Sequence, residues 1–149
     1  MEVKQQLLQT CIDHVKSRID TANSAIAEAR EAANSETKSS AGDKYETGRA
    51  MMQQEIEKNA TQAGEAQKLL QVLKSIDPSK IPVTVQLGSM VKTSLGHYYF
   101  AASLGKVSLD RKDYFVISPG SPLGQAFFGK KQGDKVTFLG QTHLIEELS

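Results

Sequence analysis

Asp43 and Glu46 stand three residues apart in the stretch SSAGDKYETGRAMMQQEIE, residues 39–57, where a small polar run gives way to a helical pattern. Two chemistries fit that spacing. An Asp at an N-cap followed three residues later by a Glu forms a capping box, and acidic side chains in a first turn suit the helix dipole. If Ser39 or Ser40 does the capping instead, the two carboxylates lie one turn apart on one face, with Cβ atoms about 5–6 Å apart. Such a pair can share a hard cation such as Mg²⁺. Two ligands do not complete a site, so a partner must supply the rest. Arg30, Lys38, Lys44 and Arg49 surround the pair in sequence, and Tyr45 lies between the two acids. The four cations read either as solvated surface or as contacts to phosphate or to an acidic channel wall. The tyrosine reads as packing onto the end of the element that carries it.

Other chemistry has little support. The chain has one cysteine, Cys11, so there is no internal disulfide and no C-x-x-C zinc ribbon. Cys11 flanks a helical seam and is expected to be buried and inert. His14, His97 and His143 have no ligand spacing, and no G-x-S-x-G marks a nucleophile. SLGKVSL and FFGKKQGDK contain Gly and Lys but match no phosphate-binding loop. Tyr98, Tyr99, Phe100, Phe115, Phe127, Phe128 and Phe138 are read as sheet core or, alternatively, as the lining of a peptide pocket.

The elements that must position Asp43 and Glu46 come from two different periodicities. Leu8, Ile12, Val15, Ile19, Ala22, Ile26, Ala29 and Ala33 recur at alternating steps of four and three, and so do Met52, Ile56, Asn59, Ala63, Ala66, Leu70 and Leu73. Each is a 3.5-residue seam. Residues 1–77 therefore read as a long antiparallel helical hairpin, a coiled coil of two helices of roughly 30 residues and about 45 Å each. Its tip loop falls at about 34–42, and Asn59 on the second seam is expected to set register. Pro78 and Pro82 end the second helix.

Residues 78–149 change period. IPVTVQL, SMVKTS, HYYFAAS, KVSL, DYFVIS, DKVTFL and HLIEEL are short, β-branched or aromatic runs between turn residues. Ser121, Pro122 and Gly129 bracket one short helix as N-cap, first turn and stop. The fold class is α+β: the hairpin, then a small antiparallel sheet with one short helix against it.

The chain has 149 residues and a net charge of +1, which argues against a general nucleic-acid coat. The charge is uneven: residues 1–77 hold ten basic against twelve acidic side chains, and residues 78–149 hold eight against five. No apolar run approaches the roughly 20 residues of a membrane span, and MEVKQQLLQT lacks the pattern of a secretory signal. A reducing cytoplasm is the expected location.

Three segments together resemble the Gre family of bacterial transcript cleavage and elongation factors. AIAEARE, residues 25–31, is similar to the end of that family's first helix, GDKYET, residues 42–47, to its tip motif, and SPLGQAFFGKKQGDKVTF, residues 121–138, to its most specific segment. They occur in the family's order across nearly the whole chain. The resemblance implies an FKBP-like C-terminal domain that docks at the rim of the RNA polymerase secondary channel. It also implies a coiled coil that enters that channel when the enzyme has backtracked. Asp43 and Glu46 match the tip carboxylates, which share a second Mg²⁺ with the polymerase and position the attacking water, so that the polymerase hydrolyses its own transcript. Arg30, Lys38, Lys44, Tyr45 and Arg49 become expected partner contacts. The protein would then be an accessory factor, not itself an enzyme, holding no cofactor alone and reaching the nascent RNA 3′ end only through the polymerase. No membrane is implied and no second copy is required.

The chain departs from the family at Thr47, Gly48 and Arg49, and in the nine-residue stretch ANSETKSSA, which lengthens the tip. Gly48 lowers local helix stability by roughly 1 kcal/mol relative to Ala. Two other readings follow. One is a Gre-like regulator that occupies the channel without promoting cleavage. The other is a peptidyl-prolyl isomerase or chaperone built on residues 78–149.

Overall fold

The structure, a computed structural model, describes the backbone of residues 2–39 and 43–149 and the side chains of residues 3–34 and 48–149. It is α+β. Helix α1 spans Glu2–Ser39 and helix α2 spans Asp43–Lys74, 38 and 32 residues long. Residues 34–39, read from sequence as loop, continue α1. They contain neither Gly nor Pro, so a helix already begun upstream can propagate through weak formers such as Asn34, Ser35 and Thr37 at small cost per residue.

Each described seam position is buried or half-buried, from Leu8 to Ala33 on α1 and from Met52 to Leu73 on α2. The helices form a hairpin in which early residues of α1 lie beside late residues of α2: His14 and Ala22 share a cleft with Asn59 and Gln62, and Arg30 shares another with Arg49 and Gln53. Asn59 does not reach across the seam. Its amide donates to the Glu55 carbonyl at 2.8 Å and to Glu55 Oε1 at 3.0 Å, so its donors stay on its own helix. The short connection already sets the register of a hairpin, and the asparagine is free to satisfy itself locally.

Contacts divide the chain into two compact units, Met1–Ile12 with Val72–Ser149, and Asp13–Gln71. The second unit is the helical arm. The first contains the sheet: β1 Met90–Thr93, β2 Gly96–Phe100, β3 Gly105–Leu109, β4 Lys112–Ile117, β5 Lys135–Phe138 and β6 Gln141–Leu148, with helix α3 at Pro122–Phe127. The strand order is β3-β4-β2-β1-β6-β5. The sheet is mixed, not purely antiparallel as expected: β2 and β4 pair in parallel, from His97↔Tyr114 to Phe100↔Ile117. Strand β3 takes the outer edge and turns back through a tight hairpin, with Asp110 and Arg111 both at positive φ, so β4 re-enters beside β2 in the same direction.

The run IPVTVQL forms no strand. Pro82 has no N–H to give a ladder, and the segment's pairing reduces to Val85, whose N–H donates to the Lys130 carbonyl at 2.7 Å and whose carbonyl accepts from Gly129 N–H at 2.9 Å. Val85 is buried, while Ile81 and Val83 are exposed.

The sheet is covered on both faces at the end of β2, so the consecutive Tyr98, Tyr99 and Phe100 are all buried. Tyr98 and Phe100 join Val85, Val91, Phe127, Val136 and Ile145 in one cluster beneath α3. Tyr99 points to the opposite face, toward Cys11 of α1. Burial, with that thiol nearby, pushes its phenol well above the usual range, and its hydroxyl has no hydrogen-bond partner. Cys11 is fully buried, and burial pushes its thiol up to about 11, which keeps it protonated and unreactive near neutrality. The ammonium of buried Lys4 donates to the Lys80 carbonyl at 2.9 Å.

Helix α3 follows its sequence signals. Ser121 Oγ accepts from Gly124 N–H at 3.0 Å and donates to the Ser118 carbonyl at 2.7 Å. Pro122 opens the helix, and Gly129 follows the cap at φ 80. Gly124 has a steric role. A Cβ there would sit within 2.1 Å of the Ser118 carbonyl oxygen and 2.9 Å from that of Pro119. Alanine favours a helix over glycine by about 1 kcal/mol, but no rotamer relieves a backbone clash, and overpacking costs about 1–3 kcal/mol or more. Gly124→Ala is therefore expected to lower the thermal midpoint of the chain; a midpoint equal to or above wild type in a calorimetric scan would contradict the close approach.

His143 is packed in the same core. It is 3% exposed, its ring meets Tyr98 at 5.6 Å and Phe127 at 5.3 Å edge-on, and Nδ1 is buried without a partner. Burial lowers its pKa from 6.5. As pH falls through 6.5, the unfolded chain takes up a proton that the folded chain refuses, so stability drops until the folded imidazole itself titrates. Urea midpoints at about pH 7.5 and about pH 5 should fall more for wild type than for His143→Phe. An equal fall would place the acid sensitivity elsewhere. No helix among the described residues is long and apolar enough to cross a membrane.

Candidate functional site

Helix α2 begins at Asp43. Asp43 and Glu46 therefore occupy its first turn, at the end of the arm where α1 hands over to α2. Residues three apart on a helix share a face, so the backbone places the two positions together. The side chains of Asp43 and Glu46, and of Lys38, Lys44 and Tyr45, lie outside the described residues, as does Ser40; Ser39, the other expected cap of α2, ends α1 instead.

Arg30 and Arg49 are described, and the fold brings them together. Both are exposed. They line one cleft of about 310 Å³ with Ala33, Asn34, Gln53 and Ile56, one arginine coming from each helix. Reading the sequence found the arginines but missed the two amides beside them. The signal was present: Asn34 lies four residues after Arg30, and Gln53 four after Arg49, so each amide sits one turn along its own helix from an arginine. Guanidinium groups suit phosphate or carboxylate oxygens.

Among the described residues no three His, Cys, Asp or Glu side chains come together as a metal site. The three histidines stay apart: His14 lines a cleft on the arm, His97 packs against Tyr114 at 5.4 Å, and His143 lies in the aromatic core. The aromatic run is mainly core, with Tyr98, Tyr99, Phe100 and Phe127 buried, while Phe115 and Phe128 are exposed and Phe138 is half-buried. The rings of Tyr98, Phe100, Phe127 and His143 fill one another's space at centroid separations of 5.3–5.7 Å.

No protein-family model matches the chain, and no curated protein does.

Proposed function

We propose that this chain is a Gre-type transcription elongation factor, which binds bacterial RNA polymerase, inserts the tip of its coiled coil into the secondary channel and stimulates cleavage of backtracked nascent RNA. One observation carries the reading: α1 ends at Ser39 and α2 opens on Asp43 with Glu46 in the same turn, at one end of the helical arm. A bare pair of carboxylates at the end of a long arm suits an incomplete site offered to a partner.

Asp43 and Glu46 would hold a Mg²⁺ shared with the polymerase, and that cation supplies charge stabilisation to the attacking and leaving oxygens of phosphodiester hydrolysis. The arm positions the carboxylates. Arg30 and Arg49, with Lys38, Lys44 and Tyr45, would contact the channel wall or nucleic-acid phosphates and hold the tip in register. An FKBP-like role for the sheet-bearing unit, docked at the channel rim, belongs to the same proposal.

A second reading has one observation in its favour. The ANSETKSSA stretch continues α1 through Ser39, which lengthens the arm by more than a turn relative to a helix ending near residue 33. A longer arm with Thr47, Gly48 and Arg49 after Glu46 suits a factor that fills the channel without promoting cleavage. Transcription from stalled, backtracked polymerase complexes separates the two. Mg²⁺-dependent shortening of the transcript supports the cleavage factor. Binding with inhibition and no shortening supports the channel-filling regulator.

A further inference from the structure

The sheet face opposite α3 carries a polar row that the proposed function does not use. Tyr114 on β4 is in register with His97 on β2, His97 with Lys92 on β1, and Lys92 with Glu147 on β6. Residues in register on neighbouring strands share a face, with Cβ atoms about 4.5–5.5 Å apart. Four adjacent strands thus present a phenol, an imidazole, an ammonium and a carboxylate side by side. Lys112, two residues before Tyr114 on β4, adds a second ammonium on that face. These five side chains line a cavity of about 230 Å³.

One feature sets this row apart from an ordinary solvated face. Tyr114 is 5% exposed, yet its hydroxyl makes no hydrogen bond to any described residue. Tyr114 lines the cavity. A side chain this buried ordinarily finds a partner for its hydroxyl. The three charged side chains of the row are exposed. Lys92 and Glu147 are opposite one another in register but form no ion pair, and Lys112 has none among the described residues, whereas nearby Lys106 and Asp113 pair at 3.4 Å.

The geometry points to a binding site for the phosphate group of a small molecule. Two ammonium groups, an imidazole and a phenol belong to residues lining this one cavity, and each can donate to a tetrahedral oxyanion. Glu147, at the far end of the row beyond Lys92, is placed to accept a hydroxyl from the remainder of a phosphate monoester. The site lies in the sheet-bearing unit and stands whether or not the arm acts on a polymerase.

The test uses the full ¹⁵N-labelled chain, titrated with inorganic phosphate at constant ionic strength and with chloride as the control, reading amide and imidazole shifts around His97 and Tyr114. Saturable shifts with phosphate alone are expected. Lys92→Gln/Lys112→Gln should weaken binding by about tenfold or more, because charge-assisted bonds are lost. Tyr114→Phe keeps the buried ring and should weaken binding severalfold with an unchanged spectrum elsewhere. Ribose 5-phosphate, run in parallel, distinguishes the source. Tighter binding that depends on Glu147 in a Glu147→Gln variant identifies a monoester, and equal binding identifies free phosphate. Shifts that chloride reproduces, that survive the double-lysine variant, or that Tyr114→Phe leaves at wild-type strength would overturn the site.

Discussion

On the proposed function, a chain carrying Asp43→Ala and Glu46→Ala is expected to leave the transcript of a stalled, backtracked bacterial RNA polymerase at full length, and the wild-type chain is expected to shorten it in the presence of Mg²⁺. A shared cation held by two of this chain's carboxylates loses its whole contribution from the arm when both are removed. Deleting even the groups that orient metal ligands commonly costs about 10–100-fold, so the loss of cleavage should be on the order of 100-fold or more. Polymerase binding should persist, because Arg30 and Arg49 remain and the seam that builds the arm is untouched.

The competing role predicts something different. If the two acids only cap α2, the variants lose about 1 kcal/mol of helix stability and retain whatever transcript shortening wild type shows. Cleavage by the double variant at the wild-type rate would sink the metal-positioning role. A wild-type chain that binds and shortens nothing would move the conclusion to the channel-filling regulator.

The largest stability effect is expected at Phe127. It is fully buried, and its ring lies 5.5 Å from Tyr98, 5.7 Å from Phe100 and 5.3 Å from His143. Truncation to alanine removes the transfer energy of the ring and leaves a cavity that three other rings cannot collapse to fill, a loss of about 3–5 kcal/mol. That is a large share of the roughly 5–15 kcal/mol by which domains are stable. The neighbouring Phe128 is the control. It is 59% exposed at the end of α3, and its replacement by alanine should stay within about 0.5 kcal/mol. Urea unfolding followed by near-ultraviolet circular dichroism reads both. Similar losses for the two variants would mean that the cluster under α3 is not the core of the sheet-bearing unit.

The pair Phe127 and Phe128 shows why only part of this protein was legible beforehand. In sequence they are two identical adjacent residues. A six-residue helix gives too few turns for periodicity to tell which one faces inward, and only packing against β2 and β6 separates them. The long helices are the opposite case. Fifteen seam positions repeat over some sixty residues, and each of them is buried or half-buried, because an extended 3.5-residue period has one geometric solution. The site is intermediate. The placement of Asp43 and Glu46 in a first helical turn was legible from the composition change at Gly42, and the meeting of Arg30 with Arg49 required two helices to be folded against each other.

The sequence by itself determined the helical hairpin, the start and stop of α3 through Ser121, Pro122 and Gly129, and the burial of Cys11, since each depends on spacing along one element or on local backbone chemistry. The tertiary structure alone decided that β2 and β4 run parallel, that IPVTVQL forms no strand, that Asn59 bonds within its own helix, and that Tyr98 and Tyr99 are buried on opposite faces. It also decided that Tyr114, His97, Lys92 and Glu147 form one row. Each of these depends on which strand lies next to which, and strand order is set by long-range burial that no local period records.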